Sequence, residues 1–228
     1  MLKSKIILAG LLLIAVQASN ATIFTYEDTN PTNGGQGIFS GGNLANVSGS
    51  FNNVTDVFTW DVTFTNEDAN SFWLVVNNGP NPKASDAREL AIIYGDKATQ
   101  QLATYVYNGD NNSVSWNSPG IFLQSDSFSW SGNSFSLSID ATDNINSWDN
   151  SPGPLTDYTG ISFDEKIGIW FHFSGNGINF NQDGSIASYN TGNQGWYDKS
   201  GRDTTSVPEP LSLALMGLGI IGLGYRRR

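Results

Sequence analysis

Between residues 56 and 65 the chain alternates strictly: Phe58, Trp60, Val62 and Phe64 are apolar, while Thr59, Asp61, Thr63 and Thr65 are polar. A period of two predicts a β-strand with one buried face and one wet face. Residues 128–139 repeat the pattern around a turn. Phe128 and Trp130 precede Ser131-Gly132-Asn133, and Phe135, Leu137 and Ile139 follow, with serines between them. The Gly-Asn pair supplies the positive φ of a tight loop, so this stretch reads as a hairpin. Further strands are expected at residues 23–26, 72–77, 89–94, 102–107, 121–123, 167–173 and 186–189. Turn clusters separate them, among them Asn78-Gly79-Pro80-Asn81-Pro82, Asn108-Gly109-Asp110-Asn111 and Ser151-Pro152-Gly153-Pro154. No sustained 3.6-residue pattern occurs between the two ends, where at most a short helical turn near residues 84–90 is expected. Many short strands with polar turns predict an all-β fold: a lectin-like antiparallel β-sandwich or jelly roll, with an open barrel as the alternative. No internal repeat favours a propeller or β-helix.

The two ends follow different rules. Lys3 and Lys5 precede an apolar core at residues 6–16, and Ser19-Asn20-Ala21 places small residues where a signal peptidase cuts. Residues 1–21 therefore read as a secretory signal peptide, removed before Thr22; an apolar core this short is too small for a stable span. At the other end, Val207-Pro208-Glu209-Pro210 leads into an apolar run, residues 211–224, and the chain closes on Tyr225-Arg226-Arg227-Arg228. The prolines hold Glu209 in an extended segment, and the arginines keep the terminus in the cytoplasm. The apolar run falls short of the ~20 residues that span a bilayer comfortably, which suits a tail destined for removal better than a permanent anchor. The organisation expected is a signal peptide at 1–21, one extracellular domain at 22–206 and a hydrophobic sorting helix within 207–228.

Pro208-Glu209-Pro210, the Leu/Gly-rich run and the Arg226–Arg228 cluster resemble the PEP-CTERM sorting signal of Gram-negative bacteria. That resemblance implies processing by an exosortase, a membrane enzyme that cuts near the Pro-Glu-Pro after transient anchoring in the inner membrane. It also implies a host that makes an extracellular polysaccharide, and a final place at the cell surface or in the extracellular matrix. A second stretch, Phe72 to Lys83, Glu89 to Asp96 and Tyr105 to Gly109, is similar to a segment found in PEP-CTERM cargo proteins of undefined function. Neither resemblance assigns a chemistry.

Composition narrows the chemistry. Between the two ends stand Lys83, Arg88, Lys97, Lys166, Lys199 and Arg202 against 20 of the 21 acidic residues, a net charge of −14. Nucleic acid is disfavoured as a partner, whereas divalent cations are attracted. The absence of cysteine removes thiol nucleophiles, thiolate metal sites and iron–sulfur clusters. Glu27, Glu67, Glu89 and Glu165 form no recognisable acid–base motif. His172, the only histidine, lies in a strand-like run where it shares a face with Trp170, and no Gly-x-Ser-x-Gly pattern occurs. No catalytic residue is expected.

Two binding chemistries remain open. Asp140, Asp143 and Asp149 crowd one Asx-rich segment and Asn181 and Asp183 another, the oxygen-donor chemistry of a calcium site, although Asx residues also cap turns without a metal. Trp116, Trp148, Trp196 and Tyr197 lie in polar contexts and are candidate platforms on which sugar rings stack; Trp60, Trp73 and Trp130 are expected in the core. The expected function is a structural or adhesive surface protein that binds glycan. A glycan hydrolase or lyase on the same fold, or a self-assembling surface subunit, is the alternative.

Overall fold

The computed structural model describes residues 22–82, 90–107, 120–141, 160–190 and 192–208. The N-terminal half contributes β1 (Thr22–Asp28), β2 (Gly34–Gly35), β3 (Leu44–Asn52), β4 (Val57–Phe64), β5 (Ser71–Asn77), β6 (Ala91–Asp96) and β7 (Gln101–Val106). Then follow β8 (Phe122–Ser127), β9 (Ser129–Ser131), β10 (Ser134–Asp140) and β11 (Lys166–Ser174). The chain ends with β12 (Ile178–Phe180), β13 (Ile186–Tyr189), β14 (Gln194–Asp203) and β15 (Thr205–Pro208). Six of them form one antiparallel sheet, ordered β15-β1-β3-β4-β10-β9, and seven form another, β2-β14-β11-β5-β6-β7-β8. The sheets have separate edges and share one core, so the fold is a sandwich and the barrel alternative is set aside. The pair β12-β13 stands apart as a ribbon.

The strands expected from alternation are present: residues 56–65 give β4, and the hairpin gives β9 and β10, with Trp60 and Trp130 buried as expected. The expected strand at 89–94 begins instead at Ala91; Leu90 makes a bridge to Gly160. Two long strands escape the pattern, β3 and β14; a glycine contributes to both, and residues 200–203 of β14 are in addition exposed on both faces. Inward positions on each are held by glycine, so the apolar alternation that marks a half-buried strand is broken. Gly49 of β3 lies opposite Trp60, where an added Cβ would come within 2.6 Å of the indole. Gly195 of β14 lies opposite Phe173, and a Cβ there would collide with the phenyl ring.

Those glycines make room for large rings. Phe58, Trp60, Phe64, Trp130 and Phe135 from the six-stranded sheet meet Phe72, Phe171 and Phe173 from the seven-stranded one. Phe72 and Phe135 stack across the interface with centroids 4.4 Å apart and planes 3° from parallel. Phe64 meets Phe173 edge-on at 5.1 Å, and Phe39, in a short 3-10 turn at Gly37–Phe39, meets the same ring at 5.2 Å. Such geometries add about 0.5–1.5 kcal/mol per pair beyond burial.

The two sheets differ on their outer faces. In the seven-stranded sheet β5 is buried at every position. Its outward residues Trp73 and Val75 join Ile92, Tyr94, Tyr105 and Trp170 in a second apolar cluster, which the β12-β13 ribbon covers with Ile178, Phe180, Ile186 and Tyr189. Asp96 pins the ribbon by accepting from the Ile178 N–H at 2.9 Å, and the Tyr105 hydroxyl accepts from the Ile186 N–H at 2.7 Å. Strands buried on both faces read as continuous apolar runs, which is why residues 72–76 and 167–173 do not alternate cleanly. The six-stranded sheet keeps its outer face open to water, and β4 and β10 alternate accordingly.

Filling the space that Gly49 leaves for Trp60 tests the role of these glycines. Gly49→Val is expected to destabilise the domain by about 1–3 kcal/mol through overpacking. Urea denaturation of the mature chain checks it; a variant within experimental error of the parent contradicts the packing argument.

Candidate functional site

Strand β11 sits between β14 and β5, and its alternation decides where the lone histidine goes. Ile169, Phe171 and Phe173 face the inter-sheet core, while Trp170 and His172 face outward. His172 pairs with Trp196 on one side and with Trp73 on the other, and Trp170 pairs with Asp198. The imidazole thus lies between two indoles, 4.5 Å from the Trp73 ring and 6.1 Å from that of Trp196. Its Nε2 accepts the Trp170 indole N–H at 2.8 Å and has Asp198 Oδ1 3.5 Å away. Accepting through Nε2 requires the neutral tautomer with its proton on Nδ1. Packing holds this imidazole from three sides, as in a structural histidine, although its side chain and that of Asp198 keep 14% and 26% of their exposure. Trp196 is half-buried, and Gly34 on β2 leaves room for its indole.

Tyr197 differs from the sequence expectation. It is fully buried, with no exposed face on which a sugar could stack. Neighbouring residues of a strand point to opposite faces, so Trp196 outward forces Tyr197 inward. Its hydroxyl donates to Asp28 Oδ2 at 2.6 Å and lies 2.5 Å from the Tyr26 hydroxyl, tying β14 to β1 across the sandwich. Burial, then the Asp28 carboxylate and the Tyr26 hydroxyl, push the Tyr197 pKa well above the ordinary phenol value. Of the other platform candidates, Trp116 and Trp148 lie outside the described residues.

Of the calcium candidates, Asp140, Asn181 and Asp183 are described, and Asp140 lies on a different sheet from the other two. Asp183 Oδ1 accepts from the Ser185 N–H at 2.9 Å and the Ser185 hydroxyl at 2.6 Å, which hold its carboxyl below the usual range. Asn181 Nδ2 donates to the same hydroxyl at 2.9 Å. Both serve the β12-β13 turn. Asp140 closes β10 in the other sheet, exposed. Asp143 and Asp149 lie outside the described residues, and among the described residues no three acidic or histidine side chains converge.

The open face of the six-stranded sheet was not recognised in the sequence as a surface. Register aligns its outward residues into rows: Ser129, Ser136, Asp61, Ser48 and Glu27 in one, and Ser138, Thr59, Ser50, Thr25 and Thr205 in the next. Ser131, Ser134, Thr63 and Asn46 form a third. Some hydroxyls bond within the array, Ser50 with Thr59 at 2.7 Å and Ser134 with Thr63 at 3.2 Å. Between β4, β9 and β10 the face dips into a shallow depression of about 300 Å³, lined by Asp61, Thr63, Ser129, Ser131, Ser134 and Ser136 over Val62 and Phe135. Its polar side chains carry oxygen only: five hydroxyls, one carboxylate and no cation. The alternating serines at 134, 136 and 138 were a signal for this face, but alignment across strands needs the register.

The edge of the same sheet brings the first and last described strands together. β15 pairs antiparallel with β1, Thr22 opposite Pro208 and Thr25 opposite Thr205. An antiparallel sandwich whose final strand opens a sorting tail is the class of protein the fold and the tail define. The PEP-CTERM protein-sorting motif matches residues 206–228. It marks an exported protein, targeted to the cell surface by way of the membrane and addressed to exosortase. Pro208 is the last described residue of that motif; Glu209, Pro210 and Arg226 to Arg228 lie outside the described residues, as does the expected signal peptide at 1–21. Among the described residues no helix is long and apolar enough to cross a membrane. No curated protein and no solved structure shows significant similarity to the chain.

The buried phenols give a pH dependence with a definite sign. Burial is the leading cause that raises the pKa of Tyr26, Tyr94, Tyr105, Tyr189 and Tyr197. A group raised on folding contributes stability that is complete below its unfolded pKa, about 10, and is lost as pH rises toward the folded value. Urea unfolding is therefore expected to lose stability steeply above about pH 10. Tyr197→Phe is expected to begin about 1.5–3 kcal/mol less stable at neutral pH, from its lost bond to a carboxylate, and to decline less steeply at alkaline pH.

Proposed function

We propose that the mature domain is a non-enzymatic, adhesive component of the extracellular matrix that binds a neutral polysaccharide on the open face of its six-stranded sheet. The observation that carries the reading is the oxygen-only lining of the depression around Asp61. Hydroxyls both donate and accept, and a carboxylate accepts strongly, which suits the hydroxyl pairs of a sugar. With no cation in the depression and a mature charge of −14, an anionic chain would be repelled; a neutral one would not. The rows of hydroxyls continue the depression across β4, β3 and β1, which gives an extended chain a track. Fold alone does not separate lectin from hydrolase. A glycosidase places two carboxyl groups about 5–9.5 Å apart on either side of the scissile bond, and the depression presents one, Asp61.

A second reading, binding at the rim of the other sheet, is favoured by Trp196 beside His172 and Asp198. There an aromatic face, an imidazole and a carboxylate lie together and partly exposed.

The experiment is co-sedimentation of residues 22–208 with the host's extracellular polysaccharide, separated into neutral and acidic fractions, in calcium and again in chelator. Binding to the neutral fraction in both media is expected. Asp61→Ala is expected to weaken it roughly ten- to hundredfold, the range for losing a hydrogen bond to a charged group, and Trp196→Ala to leave it unchanged. Loss on Trp196→Ala alone would move the site to the rim. Shortening of the polysaccharide would make the protein an enzyme, and no binding to either fraction would overturn the reading.

A further inference from the structure

The sorting motif does not begin where the folded domain ends. It begins at residue 206, and β15 runs to Pro208, so three residues of the motif are strand. Pro208, the first residue of the Pro-Glu-Pro, stands opposite Thr22, the first residue expected after signal-peptide removal. No spacer separates the sheet from the motif. The corner is tied at several points. The Thr22 N–H donates to Asn53 Oδ1 at 2.9 Å, the Thr22 carbonyl accepts from the Asn53 N–H at 3.2 Å, and the Thr25 hydroxyl donates to the Thr205 carbonyl at 3.2 Å. One residue upstream, Thr204 donates through its N–H to the Glu165 carbonyl at 3.1 Å and through its hydroxyl to the Asp164 carbonyl at 2.5 Å.

An enzyme that reads the motif as an extended peptide would need main-chain hydrogen-bonding groups that are free, because extended peptides are recognised largely through their main chain. Here the N-terminal side of the motif already spends its main chain on β1, and behind β1 stand β3 and the rest of the sheet. The whole corner would have to enter the enzyme with the motif.

We propose that β15 is a latch: the folded precursor becomes a substrate for its processing enzyme only when β15 peels from β1. The inference rests on the sorting motif and is independent of any glycan. The latch is built to open. All four β15 residues are exposed and β15 is an edge strand with one partner, so peeling it buries and exposes almost no apolar side chain. Edge segments of this kind open locally at far lower cost than the global fold. Thr204 and its two bonds to residues 164 and 165 mark where peeling stops. Processing would then follow folding at a rate set by the pairing, and the domain would leave the membrane already folded. Signal-peptide removal before Thr22 would turn its nitrogen into an ammonium group and make the bond to Asn53, just past the end of β3, charge-assisted; that would fasten β1 to the sheet while leaving β15 free to peel.

The chain has no cysteine, so a single engineered disulfide is unambiguous. The double variant Ile23→Cys/Val207→Cys, a directly opposed pair, is expressed as full-length precursor in a host carrying the processing enzyme. Tail removal is followed over time by mass spectrometry, in isolated membranes with and without reductant. The oxidised precursor is expected to keep its tail, with conversion slowed roughly tenfold or more, because local opening of β15 is blocked. Reductant is expected to restore conversion to the rate of the single-cysteine controls. A second variant, Thr205→Pro, removes a main-chain donor from β15 upstream of the motif and is expected to speed conversion. Conversion of the oxidised double variant at the parental rate overturns the latch. So does equal resistance before and after reduction, which would place the effect in the enzyme's reading of Val207. Thermal unfolding of each mature variant confirms that the sandwich itself is intact.

Discussion

Aromatic rings that fill the space between two sheets need somewhere to lie, and in this protein they lie over glycines. Trp60 faces Gly49, Phe72 faces Gly95, Phe173 faces Gly195 and Trp196 faces Gly34, each on the directly opposed position of the neighbouring strand. At every one of these pairs a Cβ would strike the ring. The arrangement exchanges strand propensity, which glycine lowers, for ring-on-ring contact across the interface. It also fixes register. A slip by one residue would drive Trp60 against a side chain and turn its whole strand inside out. Three of the four rings belong to the inter-sheet core, and the fourth, Trp196, carries the same rule to the outer face beside His172.

The asymmetry of the two sheets follows from where the remaining rings go. The seven-stranded sheet puts Trp73, Tyr94, Tyr105 and Trp170 on its outer face as well, and must cover them with the β12-β13 ribbon. Among the described residues, that face meets solvent at the β14 rim, beside Trp196, His172 and Asp198, and at the β8 edge, beside Ser125 and Ser127. The six-stranded sheet sends its rings inward only. Its outward positions on β3, β4 and β10 are mostly serine, threonine, asparagine and aspartate, so a broad surface stays wet. An antiparallel sheet can face water on one side, and this division of labour leaves the protein one closed face and one open one. The sheet with the open face is also the one whose edge carries β1 and β15, the first and last described strands.

What could be read from the sequence sorts along the same physical line. β4 and the β9-β10 hairpin were legible because each has one wet face, and alternation is a local signal. β5 and β11 were legible as apolar runs, though not as strands with two buried faces. β3 and β14 were not: Gly49 and Gly195 interrupt the inward signal for the sake of rings elsewhere in the chain, and residues 200–203 of β14 are exposed on both faces. Tyr197 was misplaced by its polar neighbours, when the strand parity of Trp196 already decided it. Asp183 and Asn181 were singled out for calcium-type oxygen chemistry; in the structure Asp183 Oδ1 accepts from Ser185, and Asn181 reaches the same hydroxyl through its amide nitrogen. The hydroxyl rows needed strand order, which no local pattern encodes. The sorting motif was fully legible, since an address read by an enzyme as linear peptide has to be written locally.

That last point creates a tension the fold has to resolve. A linear address must be extended and accessible, but a β-sandwich with two loose ends leaves a raw sheet edge, which invites pairing with other chains. Pairing β15 with β1 closes the edge of β1 with a strand of only four residues, exposed and lightly held. A longer or better-buried β15 would protect the sheet more firmly and bury the address more deeply. A missing β15 would present the address freely and leave β1, seven residues long, as an open template. The four-residue strand lies between these limits, strong enough to cap an edge and weak enough to be drawn away by an enzyme that binds the same residues.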